Sequence, residues 1–266
     1  MAVAATASSR DRFTCSVKGK RRPEIDAPYR AHVGQTAVAD ALAAEAAALQ
    51  GVVSGLTETD LSGASPCPPW MIGELLCHVL IGADRISQAL SQPADASGPL
   101  ITTVQYYRPD KRFSAATNAD RIETARTLAA RLGDPDTMSA ELGRRCRESI
   151  ELLRTAPADA AIRTRHGDRM LLSDFAGTRV VELALHGLDL AIGLGRQPWM
   201  TGAAADVLIG LLLPDGGADE CGGDQLCARL NCDRVGLIAR LTGRTALPAT
   251  DEQFLAGAGI TWLALG

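Results

Sequence analysis

Aromatic side chains make up only 4% of the 266 residues, there are four histidines, charged residues amount to 22%, and no Cys-x-x-Cys pair occurs. The seven cysteines, Cys15, Cys67, Cys77, Cys146, Cys221, Cys227 and Cys232, are odd in number and follow no zinc-knuckle spacing. With no export signal ahead of them they read as reduced thiols rather than a disulfide framework, which points to the cytoplasm. The apolar run around Val207 to Leu213 falls far short of the roughly 20 residues a membrane span requires, so no membrane role is expected. Basic charge is also scarce outside one place. Residues 1–30 hold seven basic and three acidic side chains, leaving a charge of −8 on the rest of a chain whose net charge is −4. A body of that sign is not built for a nucleic-acid backbone, and the basic arm reads as a flexible tail. No internal repeat is evident.

Apolar residues are plentiful, at 46% with a mean hydropathy of +0.04. A chain of this size buries about 70–75% of its unfolded surface and needs no disulfide or structural metal to make a core. The Ala- and Leu-rich stretch 35–53 predicts a long helix, followed by a Pro- and Gly-rich crossing loop over 54–69. A second helix is expected from Trp70 or Met71 to Leu90, with Ile72, Leu75, Leu76, Val79 and Leu80 as its buried stripe. Residues 91–114, carrying Tyr106, Tyr107 and Arg108, form a long connection suited to a pocket wall. A third helical region spans 118–155, interrupted at Gly133-Asp134-Pro135. After a connector with His166 in an exposed loop, a fourth helix capped by Ser173 runs to Gly193 or Gly195, with Asp174 opposing its positive end. Four such helices without alternating strands predict a mainly α four-helix bundle. The expected organisation is an arm over 1–32, a bundle over 33–195 and a small C-terminal region over 196–266, helical at 203–213 and 226–241 and ending in a short strand or packed segment.

Chemistry concentrates in Arg179-Val-Val-Glu182-Leu-Ala-Leu-His186-Gly-Leu-Asp189. Glu182 and His186 are one helical turn apart, so both project from one face and can share a cation. Asp189 lies on the same side, as a further ligand or as the group that orients an imidazole, and Arg179 is placed to pair with Glu182. A third ligand must come from elsewhere, and His78 sits in the second helix amid leucines, where an imidazole requires a polar partner. Taken singly, His78 also fits a hydrogen-bonded core histidine, and Glu182 with His186 a solvated pair. Cys77, next to His78, turns about 100° away on an ideal helix and reads as core packing.

The segment Trp70-Met-Ile-Gly-Glu-Leu-Leu-Cys-His78, followed by the Arg179 to Leu190 motif and by Asp233-Arg-Val-Gly-Leu-Ile-Ala-Arg-Leu-Thr-Gly-Arg244, resembles the mycothiol-dependent maleylpyruvate isomerase superfamily of DinB-like metalloproteins. The likeness covers roughly residues 33–195. It implies a DinB-like bundle whose divalent ion, most often zinc, is held by His78, Glu182 and His186. It also implies that Trp70 anchors the second helix and that mycothiol, a small thiol, is the cosubstrate. Met71 stands where the family more usually has a Thr or Ser cap. A divalent ion stabilises a thiolate that is otherwise protonated near neutrality. The expected activity is therefore a mycothiol S-transferase or thiol exchange on a small metabolite. The alternatives are cis-trans isomerisation of a maleylpyruvate-like substrate, metal-dependent hydrolysis, or metal binding without catalysis. Arg240 and Arg244 are candidates for holding the thiol's polar portion, and Tyr106, Tyr107 and Arg108 for the second substrate. A monomer or homodimer is expected.

Overall fold

The computed structural model describes residues 34–91, 98–108, 114–213, 222–257 and 260. The basic arm, with His32 and Cys15, lies outside them, as do Cys221 and most of the expected terminal segment.

Helix α1 (Gln35–Val53) buries Val38, Leu42, Ala46, Leu49 and Val53, spaced by three and four, against α7, α8 and α9 described below. Helix α1 is long and apolar enough to cross a membrane by length and composition, with a mean hydropathy of 1.3 in its most apolar window, which corrects the expectation that nothing in the chain qualifies. Its buried stripe is that of a core helix. Within the expected crossing loop a short helix α2 (Glu58–Leu61) forms, because Thr57 caps Asp60 N–H while the Asp60 carboxylate accepts from Thr57 N–H.

Helix α3 (Ile72–Ala83) starts one residue after Met71, which stays extended. Met71 supplies no side-chain cap, and only the reciprocal half of a capping box remains: the Glu74 carboxylate accepts from Met71 N–H at 3.0 Å. The second helix does not run unbroken to Leu90. Its hydrogen bonding lapses at Asp84, which keeps a right-handed helical conformation, and α4 (Arg85–Leu90) continues from there. A four-residue helix α5 (Thr103–Tyr106), capped by Thr102, sets the tyrosine pair.

The third region is α6 (Ala115–Leu132) and α7 (Pro135–Thr155), divided where the sequence suggested. Gly133 takes φ +79°, open to glycine at little cost, then Asp134 caps α7 with Pro135 in its first turn. The connector after α7 is an antiparallel hairpin, β1 (Ala161–Arg163) with β2 (Arg169–Leu171), pairing Ile162 with Met170. Half-buried His166 sits in its turn, beside Gly167 at φ +88°.

Helix α8 (Leu172–Gly193) is buried on nearly every side. Ser173 does not cap it; the helix begins one residue earlier, Leu171 holds the cap position without a side-chain bond, and Asp174 occupies the first turn as expected. Helices α1, α3, α7 and α8 form the bundle, with α6 against α3. Downstream, α9 (Gly202–Leu212) packs on α1 and α8, and fully buried Glu45 of α1 accepts from Thr201 N–H at 2.8 Å at its start. Helices α10 (Gly223–Leu230) and α11 (Arg234–Leu241) pack on each other, α11 also on α9, and α12 (Ala249–Gly257) follows. The turn after α11 returns the chain to the bundle at Arg244.

Candidate metal centre

Adjacent packing of α3 and α8 brings His78 opposite Glu182 and His186. Glu182 Oε2 lies 3.8 Å from His78 Nε2 and 3.5 Å from His186 Nε2, and one donor atom from each residue falls within 4.8 Å of the others. The imidazole centroids are 5.1 Å apart at 87°. These separations are too long for strong direct hydrogen bonds, but two ligands about 2.0–2.1 Å from one tetrahedral ion lie about 3.4 Å apart. A carboxylate facing two imidazole nitrogens is a donor set that suits a borderline divalent cation.

Each of the three side chains is held from behind. His186 Nδ1 is 2.9 Å from Asp189 Oδ2; the imidazole donates there, which leaves the Nε2 lone pair facing Glu182. Asp189 in turn accepts two bonds from Arg244, Nε to Oδ1 and a terminal nitrogen to Oδ2, both 2.8 Å. Trp70 stacks on His78 at 4.7 Å and 27°. Tyr107 O–H donates to Thr178 O at 3.1 Å and lies 3.5 Å from Glu182 Oε1. Burial, and then the nearby Glu182 charge, push the Tyr107 phenol well above its ordinary value, so it remains a neutral donor. Burial alone would raise the Glu182 carboxyl, but the facing His186 and His78 imidazoles and the charge of Arg179 outweigh it and hold it well below.

Asp189 gives a pH prediction. Burial works against its charge, yet bonds to His186 and Arg244 bring its carboxyl down to about 2 from 3.8. A depressed acid stabilises the fold above its unfolded pKa and loses that contribution as pH falls through its folded one. About 2 kcal/mol of stability is expected to disappear between about pH 4 and pH 2. Urea titrations across that window should show the loss in wild type and a flatter profile in Asp189→Asn; parallel profiles would contradict it.

The centre sits in the wall of a cavity of about 510 Å³. Tyr106 and Tyr107 line it, as the sequence suggests, and so does Arg244. The Arg244 guanidinium, however, is committed to Asp189 and only 7% exposed, so its role is to position Asp189 rather than to grip a ligand. Arg240 is not in the cavity wall; it donates to Leu230 O at 2.6 Å, because α11 packs against α10 there. Arg108 is exposed after α5, also outside the wall. Arg179 does not pair with Glu182: its Nε donates to Thr178 Oγ1 at 3.0 Å and another nitrogen reaches Tyr106 O–H at 3.4 Å, over the face of Phe175. Cys77 is core, its thiol pushed up by burial to about 12.

Cys67 has no counterpart among the expected site residues. Its thiol lies within 4.8 Å of His186 and Asp189, at the cavity wall. A second seat for an ion formed by those three residues is disfavoured, since Arg244 already occupies both Asp189 oxygens. The Ser65 hydroxyl accepts from Cys67 N–H and donates to Trp70 O at 2.8 Å, and Arg126 of α6 reaches Pro69 O. These bonds fix the loop; the Pro-Cys-Pro-Pro-Trp run is the one signal in the sequence that marks it as built.

Residues 42–191 match the family described as mycothiol maleylpyruvate isomerase N-terminal domain. Two solved structures are similar: the crystal structure of the mycothiol-dependent maleylpyruvate isomerase and that of a histidine-to-alanine mutant of it. Their identities are 13% and 12%, each with a TM-score of 0.44, covering 65% of this chain and 67% of that chain. No curated protein matches. The matched residues take in α3, most of α1 and all but the end of α8, so the helices carrying His78, Glu182 and His186, and just over half of the chain, belong to the mycothiol maleylpyruvate isomerase N-terminal domain family.

Proposed function

We propose that the chain is a metal- and mycothiol-dependent enzyme, an S-transferase or thiol-exchange enzyme acting on a small metabolite. His78, Glu182 and His186 would hold the divalent ion, zinc by the family resemblance. The observation that carries this is the convergence of those three donors, from two helices, at the wall of a cavity large enough for a small-molecule ligand. When bound, the divalent ion supplies Lewis acidity that keeps a small thiol as its thiolate at neutral pH. The chain's own residues prepare the place. Asp189 keeps the proton of His186 on Nδ1, Arg244 balances the Asp189 charge, and Trp70 restricts rotation of His78. Tyr107 stays protonated beside Glu182 Oε1 and limits where that carboxylate can turn.

A second reading, mycothiol-dependent cis-trans isomerisation, is favoured by the family's own description. The two differ in the fate of the thiol, which an isomerase releases unchanged and a transferase leaves in the product. Chelation is expected to abolish thiol-dependent turnover, and one equivalent of zinc to restore it. Mass spectrometry of product from isotopically labelled mycothiol then separates transferase from isomerase. Turnover that persists without thiol would instead indicate a hydrolase, and metal binding with no effect of thiol a noncatalytic role.

A further inference from the structure

The cavity carries more positive charge than the candidate centre balances, although the Glu182 charge reaches Arg179. Among the described residues its wall carries six arginines, Arg85, Arg121, Arg163, Arg165, Arg179 and Arg244, against one carboxylate, Glu182. This is opposite in sign to the whole chain, whose net charge is −4. Arg244 is neutralised by Asp189, and Arg165 lies 3.8 Å from Asp120. Arg179 and Arg85 have no carboxylate among the described residues at ion-pair distance. Arg179 is only 6% exposed, and its partners are the neutral Thr178 and Tyr106 hydroxyls and the Phe175 ring. Arg85, half-buried, donates to the neutral Gln88 amide at 2.6 Å. Holding like charges near one another in a low-dielectric wall is costly unless an anion completes the arrangement. The guanidinium fork fits carboxylate or phosphate oxygens with two parallel bonds.

We propose that Arg179 and Arg85 form an anion clamp, so that the substrate attacked by the thiol carries a carboxylate or phosphate group. Arg179 precedes Glu182 by three residues, about 4.5 Å along the helix axis, which places the anchored group one turn from the centre. The assignment of that anion as the thiol's acceptor rests on the enzymatic reading above; the clamp itself does not.

Calorimetric titration of succinate and of inorganic phosphate into the full chain, with and without zinc, tests it, with zinc stoichiometry measured in parallel. At least one anion should bind in both metal states, and the tighter of the two identifies the group. Arg85→Gln and Arg179→Gln should each weaken that binding about tenfold or more while zinc content stays unchanged. Anion binding without zinc in a wild type that takes up no metal would support the clamp and count against the metalloenzyme. Binding that requires zinc and is equal in both variants would show the anion sitting on the metal and overturn the clamp. Absence of binding by either anion to a zinc-loaded protein would overturn the clamp and leave the metal centre standing. Arg85→Gln, at the more exposed position, keeps the comparison open should Arg179→Gln fold poorly.

Discussion

Replacing His186 with Ala is expected to strip the chain of its divalent ion while its helix content survives. His186 sits at the junction of two sets of contacts, with Nε2 facing Glu182 and His78 and Nδ1 bonded to Asp189, so its loss removes one of the three converging donors. A structural zinc site with four ligands is worth about 10–16 kcal/mol, and one ligand of such a set roughly 3 kcal/mol or more, which corresponds to a loss of affinity of about a hundredfold or greater. The helix itself is secured elsewhere. Leu172, Leu183, Leu188 and Leu190 of α8 remain buried in the bundle core. Metal content by mass spectrometry, together with far-ultraviolet circular dichroism, checks both halves. Full metal stoichiometry in both His186→Ala and His78→Ala would remove the proposed centre.

The second large effect should come from a residue that need not touch the metal. Arg244→Met removes the two hydrogen bonds that hold Asp189 and leaves a carboxylate with 5% exposure beside a single imidazole. Breaking a buried pair from one side costs about 3–5 kcal/mol, because the remaining charge stays desolvated. For a chain of this length that corresponds to a fall in Tm of roughly 6–15 °C. Metal affinity should also fall, by about 10–100-fold, since Asp189 no longer keeps the His186 ring and tautomer in place. Adding Asp189→Asn to Arg244→Met should recover much of the stability and little of the affinity. Additive losses in the double variant would mean that the two side chains act independently.

The parts of this centre legible in the sequence are those written in helical spacing. Glu182 and His186 stand one turn apart on one element, and the apolar stripe around His78 faces the core, so the two faces were bound to meet once α3 packed on α8. The resemblance to a family of metalloproteins then singled out these three residues from other helix pairs. What spacing could not supply were contacts made by chain return. Arg244 meets Asp189 across 55 residues through the turn after α11, and that distance in sequence left its guanidinium looking available for a ligand. Cys67 reaches His186 because hydrogen bonds from Ser65 fold a proline-rich loop over the end of α3, a geometry without periodicity. Ser173 looked like a helix cap by residue type, but pairing of β1 with β2 carries the chain straight from Leu171 into α8 and places Ser173 inside the first turn. Arg179 looked like a partner for Glu182 by spacing, whereas the tyrosine pair set by α5 takes its reach.

X-ray absorption at the zinc edge, before and after addition of reduced mycothiol, tests the central claim most directly. The account predicts nitrogen and oxygen neighbours with the multiple-scattering signature of two imidazoles and no sulfur in the protein alone. A single sulfur at about 2.3 Å should appear when mycothiol is added. Sulfur already present before the thiol is added would make Cys67 a ligand, and a spectrum with fewer than two imidazoles would contradict the centre of His78, Glu182 and His186.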